Sequence, residues 1–489
     1  MKNDQCKGLS FNDCELAILR SAVDKAEKKQ ASKVVNSDEI KKMIHIVETF
    51  IKNKKLICYG GTAINNILPK YDQFYDKDLE IPDYDFFSYN ALEDAKELTD
   101  IYDKEGYHEV EGKSGQHYGT YKVFVNFIPI ADITYIPKEL FMALKNDAIK
   151  IAGILYAPAN YLRMGMYLEL SRPDGDVSRW EKVLKRLTLL NKHYPIKSYN
   201  CEESIFQREM EHSDQSDKIY NIVTHTLIDQ GVVFFGGYAL SIYSNYMPKH
   251  HRHHITKIPD FDVLIETPEV TAEIVKERLE ENGIKNVKIV KHPAFGEIIS
   301  ECYEVLIKNK DIHDTIVFIY KPIACHNYNI IKHKGNVIKI ATIETMLSFY
   351  LAFLYANRKY FNKERILCMS TYLFEVQQKN RLEQKGVLRR FTTNCIGHQE
   401  TIEEMRAEKS EKFKELKAKR SSTEFQEWFL RYRPGDKYDE SNKTKTKAKS
   451  IIKKSSSDNK TLKTNKTTKT TKSNEKKSKT KKILDYFKL

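Results

Sequence analysis

One pattern occurs twice in this chain, and the repetition limits the folds open to it. Residues 57–63 read Ile-Cys-Tyr-Gly-Gly-Thr-Ala, and residues 81–85 read Ile-Pro-Asp-Tyr-Asp. Further along, residues 234–239 read Phe-Phe-Gly-Gly-Tyr-Ala and residues 258–262 read Ile-Pro-Asp-Phe-Asp. Gly61 precedes Asp83 by 22 positions, and Gly237 precedes Asp260 by 23. A unit repeated in this way implies two copies of one module. Ahead of each glycine pair lies a stripe of apolar residues at helical spacing. It comprises Ile40, Met43, Ile44, Val47 and Ile51 in the first copy, and Ile219, Ile222 and Val223 in the second. The unit therefore reads as helix, short strand, glycine turn, and then a strand with carboxylates at i and i+2. Side chains two apart on a strand point to the same side, so Asp83 and Asp85 project together.

Paired glycines let backbone approach a bulky anion, because no Cβ intervenes. A helix that starts there offers free N–H groups and a favourable dipole to a phosphate. Carboxylates at i and i+2 supply hard oxygen ligands for Mg²⁺. The ordered combination describes a site for a nucleoside triphosphate and its metals. Two-metal phosphoryl chemistry calls for a further acidic ligand. Asp132 is the candidate, since it stands alone in the apolar run Val123–Ile136, where a bare carboxylate is expensive to bury. The second copy has an apparent counterpart: Tyr121 precedes Asp132 by 11 residues, and Tyr303 precedes Asp314 by 11.

Differences between the copies assign their roles. Thr62 follows the first glycine pair and offers a hydroxyl to a phosphate, whereas the second copy has the bulky Tyr238. Helices expected after the first module carry Arg163, Arg172, Arg179, Lys182, Lys185 and Arg186. Arg179, Lys182 and Arg186 fall at i, i+3 and i+7, on one helix face. The second copy has Leu347 and Ser348 where Arg163 and Met164 stand, and offers only Lys363 and Arg365 later. The first copy is therefore expected to be catalytic and the second a non-catalytic duplicate.

The series Gly60-Gly61-Thr62, Asp83-Tyr84-Asp85 and Asp132 resembles the nucleotidyltransferase superfamily. The stretch Leu168-Glu-Leu-Ser-Arg-Pro-Asp-Gly-Asp176, followed by Arg179-Trp-Glu-Lys-Val183, is more specific. It resembles the catalytic poly(A) polymerase subunit of poxviruses and related large DNA viruses, over roughly residues 40–400. The resemblance implies template-independent addition of AMP from ATP to an mRNA 3′ end. It also implies that Gly60, Gly61 and Thr62 position the triphosphate and that Asp83, Asp85 and Asp132 bind two Mg²⁺ or Mn²⁺ ions. Arg172, Arg179 and Lys182 match the basic motif of nucleotide binding. CCA-adding or oligoadenylate-type nucleotidyltransferases, and a non-catalytic RNA-binding or processivity subunit, are the alternatives. A Lys-, Ile-, Asn- and Tyr-rich composition fits an AT-rich genome, such as that of a giant virus of amoebae.

The expected architecture is α/β (α+β), with two tandem nucleotidyltransferase-like modules, helical extensions and a disordered basic tail. The boundaries read from the sequence are an N-terminal extension over 1–39, a catalytic module over 40–150 and a helical extension with the basic motif over 151–215. A second module over 216–335 and a helical region over 336–436 follow. The tail spans 437–489, where 18 lysines against five acids give +13, so the remainder carries only +1 of the net +14. Such a polar segment cannot offset the entropy of ordering, but it can hold RNA phosphates without regard to sequence. Its end, with Ile483, Tyr486 and Phe487, resembles a degenerate sliding-clamp peptide with Thr480 in place of the usual Gln. A homodimer or processivity subunit is a further expected partner, and the charged stretch Glu400–Arg420 reads as a solvated helix. His250-His-Arg-His-His254 reads as a solvated or RNA-contacting loop, because adjacent histidines suit no rigid metal site. No apolar run reaches the ~18–20 residues that span a bilayer, and the start of the chain has no signal-peptide core. Eight cysteines without a CxxC pair predict neither zinc nor a disulfide framework, and hence a reducing, cytoplasmic setting.

Overall fold

The computed structural model describes residues 6–198, 201, 215–247, 260–309, 312–358, 360–380 and 383–435. The His250–His254 loop, the segment 437–489 and its Ile483, Tyr486 and Phe487 lie outside them. Residues 1–436 form one compact unit.

The first module begins with α1 (Phe11–Val35) and α2 (Asp38–Lys54). Ser37 caps α2 by accepting from the Ile40 backbone N–H, and Ile40, Met43, Val47 and Ile51 are all buried. Then come β1 (Ile57–Cys58), α3 (Gly60–Ile67), β2 (Tyr84–Ser88), α4 (Ala91–Lys104), β3 (Val110–Ser114), β4 (Thr120–Val125) and β5 (Ile128–Tyr135). They are followed by α5 (Lys138–Asn146), β6 (Ile149–Ile151), β7 (Ile154–Tyr156), α6 (Ala159–Leu170) and α7 (Trp180–His193). The second module repeats the plan with α8 (Ser216–Asp229), β8 (Val233–Phe234), α9 (Gly237–Ser244), β9 (Phe261–Leu264), α10 (Pro268–Glu281) and β10 (Val287–His292). It continues through β11 (Cys302–Asn309), β12 (Ile312–Tyr320), β13 (His326–His333), β14 (Asn336–Ala341), α11 (Ile343–Phe353) and α12 (Lys363–Lys379). The remaining elements are β15 (Cys395–Ile396), α13 (Ile402–Leu416), α14 (Thr423–Phe429) and β16 (Arg431–Tyr432).

Two eight-stranded sheets result. The first runs β16-β3-β4-β5-β2-β1-β7-β6, and the second β10-β11-β12-β9-β8-β14-β13-β15. Matching the orders superposes β3, β4, β5, β2, β1, β7 and β6 on β10, β11, β12, β9, β8, β14 and β13. The hand of pairing matches too: β1–β2 and β8–β9 are antiparallel, while β2–β5 and β9–β12 are parallel. Burial alternates along β4, with Tyr121, Val123 and Val125 buried and Thr120, Lys122 and Phe124 half-buried. That alternation marks a sheet with one packed and one open face. The modules meet where α6 packs on α11, with Tyr161 set edge-on to Tyr355.

Two features depart from the sequence reading. After the second module the chain returns to the first. Here β16 pairs with β3, placing Arg431 opposite Lys113 and Tyr432 opposite Gly112. α13 joins this return, since Lys409 of that largely exposed helix donates to the Gly115 carbonyl. Disulfides also join Cys6 to Cys14, Cys201 to Cys368 and Cys325 to Cys395, leaving Cys58 and Cys302 as buried thiols. The expectation of a chain without disulfides is corrected, because two of these pairs are 167 and 70 residues apart and only the fold brings them together. Asp174 lies beside Cys325 and Cys395, with ligand atoms within 4.8 Å, but the joined sulfurs offer no thiolates. Among the described residues no helix is long and apolar enough to cross a membrane.

Candidate active site

The glycine turn sits between β1 and α3. Gly60 has φ +72°, the left-handed region that favours glycine. A Cβ on it would collide with the Asp85 carboxylate, and a Cβ on Gly61 would come within 2.5 Å of the Tyr75 hydroxyl and 3.0 Å of an Arg186 guanidinium nitrogen. Both glycines therefore admit functional groups to the first turn of α3, whose N–H groups point outward. Tyr59 anchors the turn: its ring stacks on Phe87 at 3.9 Å and its hydroxyl meets Thr134 at 2.8 Å. Thr62 is buried, and its hydroxyl donates to the Asp83 carbonyl at 2.6 Å. The structure thus uses Thr62 to tie the turn to the carboxylate strand.

Asp85 on β2 lies directly opposite Asp132 on the parallel strand β5, and Asp83 immediately precedes β2. Burial raises the Asp83 carboxyl to about 6, helped by repulsion from Asp132. Burial, with repulsion from Asp83 and then Asp132, raises Asp85 to about 8. Lys122 pairs with one oxygen of Asp132, whose other oxygen is buried without a hydrogen-bond partner. Three converging carboxylates, two of them raised by burial and mutual repulsion, with an orphaned oxygen among them, fit a hard divalent cation.

Across from the turn, α7 presents its basic face. Arg186 stacks on Phe74 at 4.7 Å and on Tyr75 at 5.4 Å, and donates to the Tyr75 hydroxyl at 2.7 Å. Arg179 meets Glu169 at 3.1 Å, and its charge offsets a small part of the rise at Asp85. Burial, with repulsion from Arg186 and Arg179, lowers the exposed Lys182 ammonium. Clustered cations of this kind favour a bound anion. Arg172 sits apart, donating to the Leu168 carbonyl at 3.2 Å, and its charge helps burial hold His326 neutral, at about 3. Arg163 is fully buried and bonds Asn160, Asn191 and the Tyr194 carbonyl. Lys122 and Tyr75 were not legible as site residues, and Arg186 was legible only by its helical spacing.

The second module keeps a glycine pair between β8 and α9, without the left-handed φ of Gly60, but not the site. Asp262 on β9 lies opposite Phe318 on β12, so Phe318 occupies the place of Asp132. Tyr121 pairs with Ile133, 12 residues on, whereas Tyr303 pairs with Ile319, 16 residues on. The second hairpin is longer, which leaves Asp314 four positions short. The apparent match of Asp314 to Asp132 is thereby corrected. Arg365 of α12 forms an ion pair with the buried Asp260. Tyr238 packs into the aromatic core against Phe234 at 4.6 Å and Phe261 at 5.7 Å.

Residues 45–176 match the family model described as poly(A) polymerase catalytic subunit. A protein of Acanthamoeba polyphaga mimivirus named as a poly(A) polymerase catalytic subunit is 34% identical over 167 residues, which is 33% of this chain and 28% of that protein. One so named from African swine fever virus, strain Badajoz 1971, is 36% identical over 177 residues, covering 35% of this chain and 36% of its own length. The chain spans about a third of the length of these curated relatives. The crystal structure of the Megavirus polyadenylate synthase superposes with a TM-score of 0.72 at 23% identity, covering 91% of this chain and 90% of the other. By sequence over residues 45–176 this chain is thus similar to the viral poly(A) polymerase catalytic subunits, and its two-module fold is that of a giant-virus polyadenylate synthase.

Proposed function

We propose that this chain is a template-independent polynucleotide adenylyltransferase that transfers AMP from ATP to an RNA 3′ end. The observation that carries this reading is Asp85 held opposite Asp132, beside the turn Gly60-Gly61 and facing the cations of α7. The N–H groups at the start of α3, with Arg179, Lys182 and Arg186, cradle the triphosphate. Asp83, Asp85 and Asp132 would hold two divalent ions, Mg²⁺ or Mn²⁺. Bound there, such ions acidify the 3′-hydroxyl and neutralise charge on the leaving pyrophosphate. The chain's own part is alignment: Thr62 fixes the Asp83 backbone, Tyr59 fixes the turn, and the β2–β5 register fixes the carboxylates to one another. In-line attack of the 3′-oxygen on the α-phosphorus forms the new phosphodiester as the bond to pyrophosphate breaks. The second module serves as scaffold, a role supported by Phe318 in place of the third acid and by Arg365 on Asp260.

The test is extension of a labelled oligo-RNA with each nucleoside triphosphate supplied separately. ATP alone should support long products, and Asp83→Ala or Asp85→Ala should abolish them in a protein that still folds. Equal use of all four nucleotides, or extension by either variant at the parent rate, would overturn the reading.

A further inference from the structure

The hydrogen-bond register of the first sheet lines up a single row of side chains across five strands. Asp85 on β2 faces Asp132 on β5, Asp132 faces Lys122 on β4, Lys122 faces Lys113 on β3, and Lys113 faces Arg431 on β16. Directly paired residues share a face of the sheet. The row therefore starts at the catalytic carboxylates and runs along the open face to the sheet edge. Its exposure rises outward, from 14% for the Asp132 side chain through 37% and 44% for the two lysines to 76% for Arg431. Arg433 lies beside it, with Nε 3.6 Å from Glu111. Glu111 also meets Arg431 at 3.1 Å and Lys113 at 3.8 Å, so one carboxylate is shared among three cations. Phe124 lies on the same face, with the Lys113 ammonium 4.1 Å from its ring centre.

The second module supplies an internal control. The equivalent row there reads Asp262, Phe318, Glu304 and Val290. It holds no cation, and among the described residues β10 ends the sheet without a strand corresponding to β16. The fold itself therefore does not require basic residues along this line. They occur only in the module with the complete carboxylate set, and the outermost is delivered by a strand drawn from the far end of the chain.

We propose that the row Lys122–Lys113–Arg431, with Arg433 and Phe124 beside it, is the track that seats the 3′-terminal segment of a single-stranded RNA. This rests on the adenylyltransferase reading above and adds to it the path of the acceptor strand. Strands lie about 4.8 Å apart, so Arg431 stands roughly 14 Å from the position of Asp132. At the roughly 3.4 Å per phosphate of a stacked strand, that distance takes about four nucleotides, and fewer where the strand is extended. Cations along the path contact the backbone, and the Phe124 ring offers a stacking surface to a base, a combination that binds single strands with little regard to sequence.

The test compares the full-length parent with Lys113→Gln/Arg431→Gln and with a charge-matched control on the second module, Lys285→Gln/Lys288→Gln. Binding of a fluorescent oligo(A) is followed by anisotropy from 50 to 300 mM salt, without ATP. The row variant should bind about tenfold more weakly at the lowest salt. Its log Kd against log salt should be shallower by about 1.4, the value for two lost phosphate contacts on a single strand. In extension assays its KM for RNA should rise while its kcat and KM for ATP hold. Unchanged affinity and slope, or equal losses in the control, would overturn the track. If the parent binds RNA along the row yet incorporates no AMP, the adenylyltransferase reading fails and the track stands. If AMP is added with a KM for RNA that ignores the row variant, the track fails and the reading stands.

Discussion

Replacing Asp85 with asparagine should make the protein more stable at alkaline pH and blind to divalent metal. The side chain keeps its shape, but the position can no longer ionise. In the parent, burial and the neighbouring carboxylates raise Asp85 from 3.8 to about 8. A carboxyl raised on folding favours the folded state fully below its unfolded value, and that contribution is lost as the pH rises from about 4 to about 8. Each tenfold in proton affinity is worth about 1.4 kcal/mol, so the loss is on the order of 5 kcal/mol. A folded unit of 436 residues has an unfolding entropy near ~0.9 kcal/mol/K, which converts the loss to about 5 °C in Tm. Parent and variant should therefore melt together near pH 4 in EDTA. By pH 9 the variant should melt as much as about 5 °C higher. Mg²⁺ at a hundred times its Kd should return about 2.7 kcal/mol, or about 3 °C, to the parent and little to the variant. Differential scanning fluorimetry across pH 4–9, with and without Mg²⁺, reads both effects. Parallel melting curves at every pH, or an equal gain from Mg²⁺ in both proteins, would refute the argument.

Other perturbations test separate parts of the molecule. Arg186→Ala removes a charged donor stacked beside the glycine turn, so KM for ATP should rise roughly tenfold to a hundredfold; initial rates over an ATP titration check this, and an unchanged KM would remove Arg186 from the triphosphate site. Arg365→Ala strips the cation from buried Asp260 and should cost about 3–5 kcal/mol of stability, with extension per folded molecule unchanged. Asp260→Asn in the same background should restore part of the melting temperature, and a loss of activity without a loss of stability would contradict the scaffold role. Truncation after Gly435 should weaken RNA binding at low salt and flatten its salt dependence, leaving single-turnover adenylation at saturating RNA intact. Truncation after Phe429 removes β16 as well, and should lower Tm and raise KM for RNA beyond the shorter cut.

The repeat, the glycine turns and the carboxylates at i and i+2 were legible because each is a local pattern that chemistry demands at close spacing. The stripe Ile40, Met43, Ile44, Val47 and Ile51 was legible for the same reason, and all but the half-buried Ile44 are buried. Pairings between distant segments were not. Counting 11 residues from Tyr303 pointed to Asp314, but strands pair through hydrogen bonds rather than residue counts, and the longer hairpin brought Phe318 to that place. Thr62 read as a phosphate ligand because its hydroxyl follows the glycines, whereas the Asp83 carbonyl takes that hydroxyl. Arg365 and Asp260 are 105 residues apart, and no periodicity links them. A two-residue strand such as β16 has no period to detect, so the return of the chain to the first module left no trace in the pattern.

That return strand bears on how the protein is made. A ribosome delivers the chain from its N-terminus, and domains generally fold as they emerge. Here the first sheet has most of its strands once Tyr156 has appeared, but its outer strand arrives with Arg431 and Tyr432, about 275 residues later. Throughout synthesis of the second module, β3 is an open edge, the kind of template that invites pairing with another chain. Lys113 and Glu111 on that strand are charged residues of the sort that discourage such pairing. The nascent protein therefore passes through a long-lived state with its carboxylate cluster assembled and its sheet unfinished. Sheet completion is a check that translation has passed through the whole second module.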